Sequence, residues 1–322
     1  METRTLSDTN LRVSRVCLGT MAFGSETNES MAARIVDRCL DRGVNFFDTA
    51  NVYNFGQAEL ILGNLIKGRR DRVIVASKVG MKMGDGPNES GLSRAAVLNS
   101  IDESLRRLGT DYLDLYYLHM PDHAAPIEET LDTMDQLVRA GKIRYPAVSN
   151  YSAWQLCRIL WLCDTHGYRP TKISQTVYNL LARGIEDEYV PFSKELGLAL
   201  VVYNPLARGL LAAKKERGPV FVDVRARDYQ SSLDRYQHPA YFEAADELHG
   251  IADRAGRSLV DLSLNWLLHH TTIDSAVIGA TNVEQLEQNL NSLDHGPLAP
   301  ETVADCDAVW RKLRGVMPRY YR

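Results

Sequence analysis

Apolar and polar positions alternate along this chain in two different rhythms. Short continuous apolar runs are separated by longer segments in which apolar residues recur every three or four positions. Continuous runs are typical of strands that are buried on both faces, and the longer rhythm is typical of amphipathic helices. The predicted strands span residues 16–18, 44–47, 73–76, 113–118, 143–148, 173–177, 198–202 and 276–278.

The amphipathic segments lie between these runs or after them, and several carry helix-end signals. In residues 93–108 the apolar positions are spaced by four, four and three residues, and Gly109 follows. Ser30 is the predicted N-cap of the first helix, and Gly43 follows its end. The predicted helices span residues 30–42, 58–65, 93–108, 127–140, 152–165, 186–196, 240–255, 259–269, 283–290 and 300–313.

This alternation predicts an α/β fold of a particular kind. Strands that alternate strictly with helices form a parallel sheet, and eight such units fit a closed (β/α)8 TIM barrel with extra C-terminal helices. Two short apolar stretches surround Ser7, Asp8, Thr9 and Asn10, which predicts an N-terminal hairpin across the bottom of the barrel. No segment resembles an interdomain linker, so we expect a single domain over residues 1–322.

Composition and charge exclude several classes of protein. With 37 basic and 41 acidic side chains the net charge is −4, which argues against nucleic acid as the main partner. No apolar run approaches the roughly 18 residues that span a membrane, and no signal-like stretch follows Met1. Five cysteines without a CxxC pair indicate buried, reduced thiols and a cytoplasmic protein. Composition makes no prediction of oligomeric state.

Polar residues stand where consecutive predicted strands end. Asp48 ends the second run, Lys78 the third and His119 the fourth, and Tyr53 follows Asp48 by five residues. A single polar residue at such a place commonly begins a loop. In parallel barrels, however, the carboxyl ends of the strands carry the chemistry. An acid, a lysine and a histidine on consecutive strands therefore predict titratable groups that converge and shift one another's pKa.

These four residue types are what the reduction of a carbonyl group requires. Hydride arriving at the carbonyl carbon leaves negative charge on oxygen, which needs a proton donor. Tyr53 is the candidate donor, and the ammonium of Lys78 is expected to lower its pKa. Asp48 would keep Lys78 charged, and His119 would orient the substrate oxygen. His119 and His123 are four residues apart, but Pro121 breaks any helix that would align them, so we predict no metal.

Several motifs together resemble the aldo-keto reductases over essentially the whole chain. They occupy residues 43–53, 76–78, 114–119, 141–144, 148–150, 175–179 and 203–206. The branch most similar to this chain contains potassium-channel β subunits and bacterial aryl-alcohol or sugar dehydrogenase-like reductases. The resemblance implies a catalytic tetrad of Asp48, Tyr53, Lys78 and His119.

The resemblance also implies a nicotinamide cofactor, NADPH or NADP, with NAD as an alternative. Ser149, Asn150 and Gln175 match positions that hold the nicotinamide carboxamide, and Tyr203 matches the aromatic residue that stacks on its ring. The implied contacts to the pyrophosphate and adenosine ends are Asn204, Leu206, Gly209, Gly279, Thr281, Gln285 and Asn289. Ala280 and Gln285 stand where many relatives have Lys and Arg, which predicts a weak preference for NADP.

Two functions remain compatible with these residues. One is a reductase of aldehydes or ketones that also oxidises the corresponding alcohols or sugars. The other is a slow-turnover, cofactor-sensing regulatory protein of the channel β-subunit type. Two local features are also expected. Pro146 should disturb the fifth strand, and the long irregular segment of residues 207–238 should close over the cofactor.

Overall fold

The computed structural model describes residues 1–212 and 234–316 of the chain. Eight parallel strands close into a barrel in chain order, and the last strand pairs with the first. The predicted parallel barrel is therefore confirmed. Its strands are β3 Val16–Gly19, β4 Phe46–Asp48, β5 Ile74–Val79, β6 Leu113–Leu118, β7 Ile143–Ser149, β8 Ile173–Val177, β9 Ala199–Tyr203 and β10 Ser275–Ile278.

Helices follow the strands at nearly the predicted places. Ser93 caps its helix as its hydroxyl accepts from the amide of Ala96, and Gly109 ends that helix with φ 61°. The N-cap predicted at Ser30 is wrong, because the side chain of Asn28 accepts from the Met31 amide instead. The helices of the described residues are α1 Glu29–Asp41, α2 Gln57–Ile66, α3 Arg94–Leu108, α4 Ile127–Arg139, α5 Ala153–His166, α6 Tyr189–Glu195, α7 Pro239–Arg254, α8 Leu259–His269, α9 Val283–Ser292 and α10 Pro300–Arg314.

The predicted N-terminal hairpin is present and covers the amino ends of the barrel strands. Strands β1 Thr3–Thr5 and β2 Arg12–Ser14 pair antiparallel. Leu6, Leu11 and Val13 join the buried cluster inside the barrel. Polar contacts tie the hairpin loop to three later residues of the chain. They are Ser7 Oγ to Gly197 O at 2.6 Å, Lys172 Nζ to Asp8 at 2.8 Å and Tyr145 Oη to Asn10 at 2.9 Å.

Strand β7 passes through Pro146 without interruption. Pro146 pairs with Tyr116 and Ala147 with Tyr117 in the parallel register. Both Pro146 and Ala147 are buried. The expected disturbance is therefore wrong: a proline removes one amide donor, and the strand continues on either side of it.

The described residues form two compact units. The first contains Met1–Thr176, Pro191–Tyr203 and Ile273–Glu287, and the second contains Val177–Val190 with the described parts of Asn204–Thr272 and Gln288–Arg322. In the second unit, Arg183 pairs with Glu186 and Asp307, and its guanidinium lies 4.7 Å from the ring of Trp266. Residues 213–233 of the segment expected to close over a cofactor lie outside the described residues.

Two further expectations concern membrane-spanning helices and the burial of the cysteines. Across residues 1–212 and 234–316, no helix has the length and hydropathy that a membrane crossing requires. All five cysteines are free, and four of them are buried. Cys157 is exposed, so the expectation of burial is wrong for this thiol.

Candidate active site

Lys78 is the centre of the site that the strand ends build. It is fully buried near the end of β5, where its ammonium donates to Asp48 at the end of β4. It also donates to the Thr49 carbonyl at 2.9 Å and to Tyr53 Oη at 3.3 Å, so three acceptors match its three hydrogens. Burial alone would lower the pKa of Lys78, but Asp48 and Tyr53 together raise it above its usual value. The ammonium therefore stays charged.

Tyr53 is positioned by an unusual stretch of backbone. Asn54 and Phe55 follow it with φ 49° and 52°, a left-handed conformation that costs free energy in residues other than glycine. The Asn54 amide donates to the carbonyls of Met21 at 3.0 Å and Phe23 at 2.7 Å. The loop after β4 is thereby tied to the loop after β3, and the phenol of Tyr53 is held against Lys78.

The phenol of Tyr53 keeps its proton in this setting. Burial raises the pKa of Tyr53, Lys78 lowers it, and Asp48 raises it again, with a net increase. Lys78 thus acts in the direction expected from the sequence, but burial outweighs it. Because Tyr53 Oη accepts a hydrogen bond from Lys78, its own hydrogen remains available for donation.

His119 lies beside the phenol, one residue after β6. The two ring centroids are 6.0 Å apart in an edge-on arrangement, and His119 is 9% exposed. Burial, with a smaller contribution from Lys78, lowers the pKa of His119 to about 3, so the imidazole is neutral at neutral pH. Its Nδ1 is buried and has no hydrogen-bond partner within the described part of the chain. A neutral ring beside the phenol can orient a ligand without carrying charge.

The predicted carboxamide residues share a hydrogen-bond network with this group. Gln175 donates to Asp48 Oδ2 at 2.8 Å. Asn150, with φ 64°, donates to the His119 carbonyl at 2.9 Å and to Ser149 Oγ at 3.1 Å. Tyr203 Oη donates to Asn150 Oδ1 at 2.7 Å. The structure therefore brings Ser149, Asn150, Gln175 and Tyr203 to the rim that holds the four titratable residues.

This donor and acceptor set fits a nicotinamide. The carboxamide of that group is neutral and needs both a donor and an acceptor, which hydroxyl and amide side chains provide. Tyr203 is partly exposed, so its ring is accessible to a planar group. The buried, unpartnered Nδ1 of His119 adds a polar atom close to where a reacting group would lie.

The residues implied for the other end of the cofactor are divided between the two units. In the first unit, Gln285 Oε1 accepts from the amide and hydroxyl of Thr281 at 2.9 and 3.0 Å, and Asn282 accepts from the Gln285 amide. These side chains cap α9, and a phosphate would compete with that cap. Gly279 is exposed in the same unit. The second unit contains Asn204, Leu206, Gly209 and Asn289.

A buried ion pair beneath the site was not found from the sequence. Glu59 on α2 accepts from Ser77, the neighbour of Lys78, and from Arg107 Nε at 2.7 Å. Arg107 also packs under Gly56, where an added Cβ would lie 2.7 Å from its Cδ. The signal in the sequence was the lone acid of an otherwise apolar stretch, residues 58–62. This pair links the strand of Lys78 to the loop of Tyr53.

Comparisons with known proteins match almost the entire chain to one family. The model of the Aldo/keto reductase family matches residues 15–311. The aldo-keto reductase YhdN of Bacillus subtilis is 35% identical over 89% of this chain and 87% of its own. A probable voltage-gated potassium channel subunit beta of Oryza sativa is 33% identical over 96% of both.

A third relative is the aflatoxin B1 aldehyde reductase member 2 of Rattus norvegicus. It is 33% identical over 99% of this chain and 90% of its own. The closed parallel barrel, the group around Lys78 and the match over residues 15–311 all agree. The chain belongs to the aldo/keto reductase family of oxidoreductases.

Proposed function

We propose that this protein reduces aldehydes or ketones with a nicotinamide cofactor, and oxidises the corresponding alcohols or sugars in reverse, with Tyr53 as general acid and base. One observation carries the proposal. The Lys78 ammonium joins Asp48 to the phenol of Tyr53, and the neutral ring of His119 stands beside that phenol. This arrangement supports proton transfer at Tyr53 Oη.

The roles of the four residues follow from their protonation states. The bound nicotinamide supplies the hydride or accepts it. Tyr53 donates its proton to the oxygen of the substrate, and Lys78 stabilises the phenolate that remains. Asp48 keeps Lys78 charged and in place. The pKa of His119 is about 3, so its imidazole is neutral at neutral pH and is not the acid. His119 therefore orients the substrate oxygen, and Tyr53 is the acid.

The cofactor that we propose is NADPH or NADP, with NAD also accepted. Ser149, Asn150 and Gln175 would hold the carboxamide, and Tyr203 would stack on the ring. The remaining contacts would come from Asn204, Leu206, Gly209, Gly279, Thr281, Gln285 and Asn289. Gln285 is uncharged, so a 2′-phosphate would be held by neutral donors at that position, and a modest preference between the two cofactors is expected.

The proposal is tested with Tyr53→Phe. Loss of the hydroxyl should lower kcat for a panel of aldehydes at least ~100-fold, the scale of general acid catalysis. Cofactor binding, followed by quenching of protein fluorescence, should stay close to that of the wild type. Turnover of the variant at the wild-type rate would contradict the assignment of Tyr53.

The same assay separates a regulatory role from an enzymatic one. Two relatives are named as probable channel β subunits, from Oryza sativa and Arabidopsis thaliana. A slow, cofactor-sensing protein would bind the reduced cofactor but consume little more than one equivalent of it with any aldehyde. Repeated turnover by the wild type would contradict that alternative.

A further inference from the structure

A cavity of about 120 Å³ lies at the amino ends of strands β7 and β8, where the hairpin loop meets the barrel. We call it the amino-end pocket. The proposed function does not use it, because the candidate active site lies toward the opposite, carboxyl ends of the strands. The wall of the pocket includes Asp8, Tyr145, Pro146, Arg169, Pro170 and Lys172.

Arg169 brings to this pocket a positive charge that the protein leaves unpaired. Its exposed guanidinium lies 5.6 Å from the ring centroid of Tyr145, a weak contact at such a position, and forms no ion pair with any residue that the structure describes. Its backbone is fixed, because the Arg169 amide donates to Asp135 at 2.8 Å and the following Pro170 restricts its conformation. A guanidinium held in this way is suited to a carboxylate or a phosphate.

Lys172 adds a second cation to the wall. Its ammonium donates to Asp8 at 2.8 Å, which uses one of its three hydrogens. This hydrogen bond holds the pKa of Asp8 below its usual value, so Asp8 is charged at neutral pH. Both side chains are partly exposed, and their pair contributes little to stability. Two cations and one carboxylate leave the wall with one net positive charge, which favours a ligand with one negative charge.

The rest of the wall is mostly apolar. Pro146 and Pro170 have no backbone amide to donate, and the ring of Tyr145 is partly exposed. The hydroxyl of Tyr145 donates to Asn10 at 2.9 Å, which fixes the ring in place. A phosphate is polar on every side and would lose solvation against these surfaces. A carboxylate on an apolar body matches both the cations and the apolar wall.

We propose that the amino-end pocket binds a small carboxylic acid with a planar apolar body, an aromatic carboxylate. Arg169 bonds both carboxylate oxygens, and the ammonium of Lys172 adds a second positive charge beside them. The ring packs against Pro146, Pro170 and Tyr145. An enclosed cavity of roughly 150 Å³ holds a benzene molecule, and this one is smaller but partly open to solvent. It therefore has room for one ring whose carboxylate points to Arg169.

This site is separate from the candidate active site, although the same two strands reach both. Strands β7 and β8 begin beside the pocket, and Ser149 and Gln175 lie farther along them. The carboxylate and the cofactor should therefore bind independently. The wall joins the hairpin loop, through Asp8, to the starts of two barrel strands. A ligand that binds only the folded chain should thus raise the temperature of unfolding.

Titration of the full chain with sodium benzoate at constant ionic strength, followed by calorimetry, tests the proposal. The wild type should bind one benzoate with a dissociation constant of about 0.1–1 mM, the scale of two hydrogen bonds between charged groups. Arg169→Gln should weaken binding at least ~10-fold. Arg158→Gln removes another exposed arginine, on α5, and should bind like the wild type. No saturable binding by the wild type, or equal binding by Arg169→Gln, would overturn the proposal.

Two further titrations test the identity of the ligand and the location of its site. Inorganic phosphate should bind at least ~10-fold more weakly than benzoate, because it has no apolar body to place against the wall. Equal affinities would refute an aromatic carboxylate as the ligand. Benzoate should bind equally well with and without saturating NADPH. Displacement of benzoate by NADPH would place it in the candidate active site and would also overturn the proposal.

Discussion

Lys78 and Asp48 form a pair whose stability and chemistry can be separated. Both side chains are buried. Asp48 accepts a hydrogen bond from Lys78, and Lys78 also donates one to Tyr53. Removal of one partner leaves an uncompensated charge inside the protein. Removal of both charges together leaves no unpaired charge in the interior. The phenol of Tyr53, however, then has no ammonium beside it.

The first prediction compares three variants of this pair. Lys78→Met and Asp48→Asn should each destabilise the fold, the former by about 3–5 kcal/mol because it leaves a buried carboxylate unpaired. Asp48→Asn/Lys78→Met should recover most of that stability but not the rate of hydride transfer. Thermal unfolding and single-turnover kinetics measure the two effects. Recovery of the hydride step in the double variant would show that Lys78 only neutralises Asp48.

A second prediction concerns His119 and the dependence of stability on pH. Its folded pKa of about 3 is below the ordinary value of 6.5, so between these values the unfolded chain binds a proton that the folded chain does not. The stability due to neutral His119 is therefore complete above pH 6.5 and decreases as the pH falls toward 3. Urea unfolding of the wild type and of His119→Asn, followed from pH 7 to pH 4.5, should show a smaller decrease in the variant. Equal decreases would contradict a buried, neutral imidazole.

At the scale of single elements, periodicity predicted nearly every helix and strand, and the errors lie at their ends. Serine is a good cap, which predicted an N-cap at Ser30, but Asn28 caps the helix two residues earlier. Residues 186–196 were expected to form one helix, whereas Gly184–Glu186 form a short 3-10 turn before α6. Ends depend on which local side chain reaches a free amide, and periodicity does not report this.

Glu59 gives a third prediction, at the scale of the elements it connects. Glu59→Gln leaves Arg107, which is 14% exposed, without its buried partner, and should destabilise the protein by about 3 kcal/mol. Because Arg107 packs under Gly56, kcat should also fall as the Tyr53 loop loosens. Glu103→Gln removes the half-exposed carboxylate 3.6 Å from Arg107 and is the matched control, with an expected change below about 0.5 kcal/mol. Equal losses in the two variants, measured by urea unfolding, would contradict this role.

At the scale of the whole molecule, the barrel and the convergence of its polar strand ends were predictable because one rule governs both. Parallel strands in strict alternation with helices bring all their carboxyl ends to one side. The contacts of Lys78 with Asp48 and Tyr53 were expected from the sequence, but the other hydrogen bonds within the site were not. Gln175 reaches Asp48 across 127 residues of chain, and Asn150 reaches Tyr203 across 53. Such contacts depend on side-chain directions that a linear pattern does not contain.

The hairpin at the amino ends of the strands has a consequence for how the chain folds. Residues of the hairpin loop form hydrogen bonds with Tyr145, Lys172 and Gly197. These partners lie 135 to 190 residues later in the chain. During synthesis the hairpin leaves the ribosome long before these partners exist, and Leu6 and Leu11 then have no core to enter. Contacts of such high sequence separation form late. We therefore expect the hairpin, although it is translated before the barrel strands, to dock only after they have formed. Until then its apolar residues would be exposed.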